Sequence, residues 1–208
     1  MPSASCVAAG DILGRMHALG LTRLPDTPPF SFDFGTDDET LANLLERVSP
    51  GPGHRDRILA TNRTCREAEA RLARGAVYGH GDYFPHNLIF DAAGTAHVID
   101  FEMAGLVSPS MELVLATILF SGRITGDDYS EVSLEAFLEA YRRRAAIRFE
   151  ELEDGFWGAI NKAWLNWIAY NLAYGDPAVA EQTIDGLLAI LDQKEDILGR
   201  IRDSRNLN

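Results

Sequence analysis

Three oxygen-bearing side chains, Asp82, Asn87 and Asp100, are spaced as metal-assisted phosphoryl transfer requires. They lie in His80-Gly81-Asp82-Tyr83-Phe84-Pro85-His86-Asn87 and Val98-Ile99-Asp100-Phe101-Glu102, with Asn87 five residues after Asp82 and Asp100 thirteen after Asn87. In such chemistry one carboxylate accepts a hydrogen bond from the attacking hydroxyl. An amide oxygen and a second carboxylate hold the magnesium ions that bridge the nucleotide phosphates. Asp82 suits the base, and Asn87 and Asp100 the metal ligands. His80 is the companion of Asp82 in the catalytic loop and is expected to support it by hydrogen bonding. His86 is expected on the loop surface.

The elements that must position these groups are short. Leu88-Ile89-Phe90 and Ala96-His97-Val98-Ile99 read as strands flanking Asp91-Ala92-Ala93-Gly94, whose Asp and Gly suit a tight connection between antiparallel partners. Such a hairpin returns Asn87 and Asp100 to each other's side. A strand over Ala76-Val77-Tyr78 is expected to lead into the loop.

On these residues the chain resembles the aminoglycoside phosphotransferase and choline kinase family. That family's catalytic loop reads His-Gly-Asp-x-x-x-x-Asn, matched by His80 to Asn87, and its metal segment reads Ile-Asp-Phe/Trp-Glu/Gly, matched by Ile99 to Glu102. The resemblance implies a mostly α-helical, α+β, protein-kinase-like C-terminal lobe with a small β-hairpin. It also implies Mg2+ and ATP or GTP as cofactors and a small hydroxylated acceptor such as an aminoglycoside or related antibiotic. Leu13-Gly14-Arg15-Met16-His17-Ala18-Leu19 looks like the family's first helix after the hinge. Where the family often has Gly-Asp-Pro-x-x-Asp-Leu, the chain has Val107-Ser108-Pro109-Ser110-Met111-Glu112-Leu113, so Glu112 takes the place of the second aspartate. His54-Arg55-Asp56 imitates a protein-kinase loop, but Asn62 falls one place too late, and the following residues have helical composition.

Apolar spacing predicts helices over 11–19, capped by Asp11 and stopped at Gly20, and then over 39–48, 54–73, 110–120, 127–144, 149–174 and 176–202. Leu24 to Phe34, rich in proline and aromatic residues, is expected to be an irregular surface segment. One domain of residues 1–208 follows, with a core at 10–106 carrying the loop and hairpin and a helical substrate subdomain at 107–208. Glu102, Trp164, Trp167 and Asn171 are the candidate acceptor contacts. For the aromatic stripe around Trp164 the competing reading is core packing.

A net charge of −12 opposes binding to nucleic acid, whose phosphates demand a basic surface. The same acidity favours solubility and is compatible with a cationic acceptor. No apolar run approaches the roughly 20 residues of a membrane span, and the first residues lack the features of a secretory signal. A cytoplasmic location is therefore expected. Cys6 and Cys65 form no metal-ligand spacing and are expected to be inert thiols.

Kinases of this kind also need a glycine-rich turn over the phosphates and a lysine reaching them. The only lysines are Lys162 and Lys194, both after Asp100, and no Gly-x-Gly-x-x-Gly occurs. The nucleotide-clamping N-lobe is thus expected from a separate chain, from upstream coding sequence or from an unusual local substitute, and a protein partner supplying that lobe, or a homo-oligomer, is the expected association. The alternative expectation is a pseudokinase-like module that binds a small molecule or protein without chemistry.

Overall fold

The computed structural model describes residues 3–23, 37–122 and 130–204. The segment Leu24 to Phe34 and the predicted helix start at 127–129 lie outside the described residues. Helix α1 (Ser3–Ala18) begins eight residues ahead of the expected Asp11 start. Asp11 is therefore not a cap; it sits mid-helix and pairs with Arg144 Nε at 2.6 Å. The expected stop holds, with Gly20 at φ +58° donating its N–H to His17 O. Helix α2 (Asp38–Leu45) is capped by Asp37, whose carboxylate accepts from the Thr40 N–H at 2.7 Å. Helix α3 (His54–Leu72) follows Gly53 at φ 79° and places Asp56 in its first turn, where a carboxylate favours the positive end of the helix dipole.

Four short strands follow, in two antiparallel pairs. They are β1 (Val77–Gly79), β2 (Leu88–Phe90), β3 (Ala96–Val98) and β4 (Gly105–Val107). Tyr78 pairs with Leu106 in the first sheet, and Leu88 with Val98 in the hairpin. The hairpin turn is closed by Asp91, whose Oδ1 accepts from the N–H groups of Ala93 and Thr95, both at 2.9 Å, with Gly94 at φ +81°.

The rest is helical: α4 (Pro109–Phe120), α5 (Glu131–Arg142), α6 (Leu152–Ile160), α7 (Asn166–Ala173), α8 (Pro177–Asp192) and α9 (Lys194–Asp203). Ser108 caps α4 and Ser130 caps α5, each accepting from the N–H three residues on, as orphan amides at a helix start demand. Between α6 and α7 the five residues Asn161–Leu165 form a π turn, closed by the Asn166 N–H on Asn161 O. The expected single helix over 176–202 breaks at Gln193.

The helices pack around one apolar core that includes Leu13, Ile58, Ile118, Phe137, Phe156 and Leu187. Helices α1 and α5 approach closely because Gly10 and Gly14 leave room. A Cβ on Gly10 would strike the Phe137 carbonyl, and one on Gly14 would lie 2.7 Å from Tyr141 O. Among the described residues no helix is long and apolar enough to cross a membrane.

Candidate active site

The loop between β1 and β2 is anchored from below. Gly81 stands at φ +75°, a left-handed conformation that suits glycine, and a Cβ there would strike the Met103 carbonyl. Its N–H donates to Glu112 Oε1 at 2.7 Å. Glu112 is buried on α4, and its Oε2 meets His17 Nε2 at 2.8 Å, while His17 Nδ1 meets the Tyr141 hydroxyl at 2.8 Å. Burial first, then the charge of Glu112, raises the pKa of the Tyr141 phenol. A phenol that keeps its proton donates to Nδ1, which leaves the Nε2 proton to bond Glu112. Three helices thus converge on one backbone amide of the loop.

His80 is fully buried and ties the two halves of the site together. Its Nδ1 accepts from the Asp82 N–H at 3.3 Å, which places a ring proton on Nε2 for the Ile99 carbonyl at 2.9 Å. The ring packs against Phe101, with centroids 4.7 Å apart. Tyr83 is also buried and donates to Ala9 O at 2.8 Å. His86 is exposed.

Asn87 ends a 3-10 turn begun by Pro85. Its Nδ2 donates to the Asp82 carbonyl at 2.8 Å and to Asp82 Oδ2 at 3.0 Å. Both amide hydrogens are thereby spent on Asp82, which leaves Oδ1 as the side-chain atom with lone pairs to offer a cation. The Ile99 N–H donates to Asn87 O at 3.0 Å, extending the hairpin register by one step. Asn87 therefore sits opposite Ile99, the residue before Asp100. Asp100 is exposed and adopts φ 64°, ψ 63°, the one non-glycine residue at positive φ among those described. That conformation costs an L-residue about 1 kcal/mol.

The Asp100 carboxylate and the Asn87 carboxamide are hard oxygen donors, the kind that Mg2+ takes in phosphate chemistry. Among the described residues no group of three or more His, Cys, Asp or Glu is placed to hold a metal. The set depends on the amide of Asn87, which such a carboxylate-and-imidazole pattern omits.

The candidate acceptor contacts scatter. Glu102 is exposed in the turn after Asp100. Trp164 is buried in the core, and Asn171 is buried with its Nδ2 on Trp167 O at 2.8 Å. Trp167 is exposed and stacks on Tyr170, ring centroids 5.4 Å apart and planes 11° off parallel. A cleft of about 320 Å³ opens instead beside Gly81, lined among others by Met103, Met111, Lys162 and Asn166. The sequence reading missed Lys162 as a site residue. Its signal was a lone lysine in an apolar helical stretch. Burial lowers its pKa, opposed by the negative charges of Asp82 and Glu112.

The model of the phosphotransferase enzyme family matches residues 2–151. No curated protein matches the chain. Among solved structures, a choline/ethanolamine kinase family protein from Mesorhizobium loti superposes with a TM-score of 0.63 at 20% identity, covering 95% of this chain and 65% of that one. Amicoumacin kinase hAmiN, solved with AMP-PNP, Ca2+ and Ami, gives 0.57 at 13% identity, covering 89% and 58%. An aminoglycoside phosphotransferase from Alicyclobacillus acidocaldarius gives 0.54 at 16% identity, covering 100% and 67%. The chain spans about two thirds or less of the length of these structures, and at such identities the likeness speaks to the fold. The family's own sequence pattern runs through well over half of the chain, including Asp82, Asn87 and Asp100, and the chain belongs to the phosphotransferase enzyme family.

Proposed function

We propose that the protein transfers the γ-phosphoryl group of ATP or GTP to a hydroxyl of a small molecule. The family and the kinase-like fold support a small-molecule phosphotransferase in general. The observation that supports the finer reading is the pair of hydrogen bonds from Asn87 to Asp82, together with the backbone bond that returns Ile99, the residue before Asp100, to Asn87. Asp82 accepts the proton of the acceptor hydroxyl as that oxygen bonds to the γ-phosphorus. The bond to the β–γ bridging oxygen breaks, and its electrons leave with the nucleoside diphosphate. Asn87 and Asp100 are the residues that hold Mg2+, which when bound neutralises charge on the phosphates. AMP-PNP and Ca2+ in the structure of the amicoumacin kinase support a nucleotide and a divalent cation here.

The left-handed backbone of Asp100 supports a functional role for this residue, since sparse conformations cluster at active sites and ligand clamps. We assign the nucleotide clamp to polypeptide outside these 208 residues, whether a separate chain or a further part of a longer protein. No lysine precedes Asp82, and apolar side chains stand exposed around the hairpin, including Ile89, Ile99 and Phe101. A nucleotide-dependent enzyme of this kind works in the cytoplasm, where ATP and GTP are made available.

The test is phosphate transfer followed by 31P NMR, with Mg2+, nucleotide, a panel of hydroxylated acceptors and any polypeptide that completes the site. Asp82→Ala is expected to abolish transfer. Undiminished transfer in that variant would remove Asp82 as the base. Nucleotide-independent ligand binding, with no heat from Mg2+ and ATP in calorimetry, would favour the binding module.

A further inference from the structure

We propose that His17 on α1 positions the base: it holds Glu112 on the Gly81 amide, and so sets the loop in which Asp82 stands. This rests on the phosphotransferase reading of Asp82 and adds to it a positioning residue that acts through another side chain.

Both chain neighbours of Asp82 are tied to α1. On one side the Tyr83 hydroxyl donates to the Ala9 carbonyl at 2.8 Å. On the other the Gly81 N–H donates to Glu112 Oε1 at 2.7 Å, and Glu112 Oε2 accepts from His17 Nε2 at 2.8 Å. The backbone of Asp82 is held as well, its N–H by His80 Nδ1 and its carbonyl by the Asn87 amide and the Phe84 N–H. The loosest joint ahead of the base is Gly81. Glycine has the widest choice of φ and ψ, so its setting at φ +75° depends on the grip on its N–H.

That grip needs a second anchor. Glu112 stands where the family often has an aspartate, and its side chain has one more rotatable bond to be fixed. His17 removes that freedom. Its Nδ1 accepts from the Tyr141 hydroxyl at 2.8 Å, which reserves the ring proton for Nε2 and Glu112. His17, Glu112 and Tyr141 are all buried, where bonds between polar groups are stronger than in water.

Backbone choices elsewhere serve the same contact. A Cβ on Gly79 would strike Glu112 Oε2, so β1 ends on glycine where the carboxylate lies against it. Gly14, three residues before His17, lets α1 settle on the backbone of Tyr141. Asp11 and Arg144 join the same two helices at 2.6 Å.

The experiment compares two exchanges of His17 that each keep one of its two bonds. The amide of asparagine lies where Nδ1 stood and meets Tyr141 alone, whereas that of glutamine lies where Nε2 stood and meets Glu112 alone. In the 208-residue chain, proton–nitrogen correlation spectra follow the Gly81 N–H and the side-chain amide of Asn87, which touches Asp82. Both resonances are expected to move in His17→Asn and to return to their places in His17→Gln, while the two variants melt at about the same temperature. With nucleotide, Mg2+ and the completing polypeptide supplied, kcat should fall by about tenfold or more in His17→Asn, with the acceptor KM within about threefold. His17→Gln should restore most of that loss. In the parent chain, nitrogen spectra of the imidazole should find the His17 proton on Nε2, a measurement independent of how any variant folds. A proton on Nδ1, or resonances that respond alike in the two His17 variants, overturns the proposal. Transfer absent from the parent, with the resonances moving as expected, would sink the phosphotransferase reading alone, whereas transfer undiminished in His17→Asn would sink the positioning role alone.

Discussion

Asn87 gives both hydrogens of its side-chain amide to Asp82, one to the carbonyl at 2.8 Å and one to Oδ2 at 3.0 Å. One residue thereby fixes the rotamer of the proposed base and directs its own Oδ1 away from it, toward the proposed metal. In Asn87→Ala both functions go at once. Phosphate transfer is expected to fall by ~100-fold or more. Unfolding in urea should show a loss of about 1–3 kcal/mol from the buried groups left without a partner.

Asp100 separates function from stability. Asparagine tolerates the left-handed conformation as well as aspartate does, so Asp100→Asn should unfold within about 0.5 kcal/mol of the parent. Its charge is gone, and binding of Mn2+ followed by water-proton relaxation should weaken sharply along with transfer. Full activity in Asp100→Asn would take this residue out of the metal set.

Glu112 is the support on which the loop amide rests. Glu112→Ala strands the Gly81 N–H and the inner nitrogen of His17 in a dry interior, at an expected cost of about 3 kcal/mol or more. Glu112→Gln offers an oxygen to Gly81 and an amide to His17, whose tautomer can exchange toward Tyr141. Its loss should be about 1 kcal/mol in the same urea experiment.

The hairpin turn should respond to acid. The Thr95 N–H, then the His97 side chain, hold the Asp91 carboxyl below its ordinary 3.8. A depressed folded pKa means that the stabilisation is complete above the unfolded value and is lost as pH falls through the folded one. Amide exchange at Ala93 and Thr95 should therefore quicken as pH drops below 3.8, after correction for intrinsic rates. In Asp91→Ala it should be fast, with no such acid-dependent step.

What could be read in advance was local. The hairpin over 88–98 was legible because Asp91 and Gly94 carry their own turn chemistry. The true start of α1 was hidden because Gly10 looks like a breaker in isolation, whereas against the Phe137 backbone it is what allows two helices to touch. Strand β4 escaped notice for a similar reason. Gly105-Leu106-Val107 becomes a strand by pairing with residues almost thirty positions earlier. In the site, the roles of Asp82, Asn87 and Asp100 rested on spacing along the chain. The grip of Glu112 on Gly81 spans 31 residues and exists only once α4 has packed.

The π turn at Asn161–Leu165 gives the run from Leu152 to Ala173 a surplus residue relative to a regular helix of the same span. Each residue advances a helix by about 100°. Deleting one codon there would take up the surplus and close the run into a regular helix, leaving Trp167, Tyr170 and Tyr174 on the faces they now occupy while reshaping the stretch of cleft wall that Lys162 and Asn166 line. An insertion or deletion of a single amino acid, more than any exchange of side chains, is thus the shortest evolutionary step by which this scaffold could change the molecules it admits.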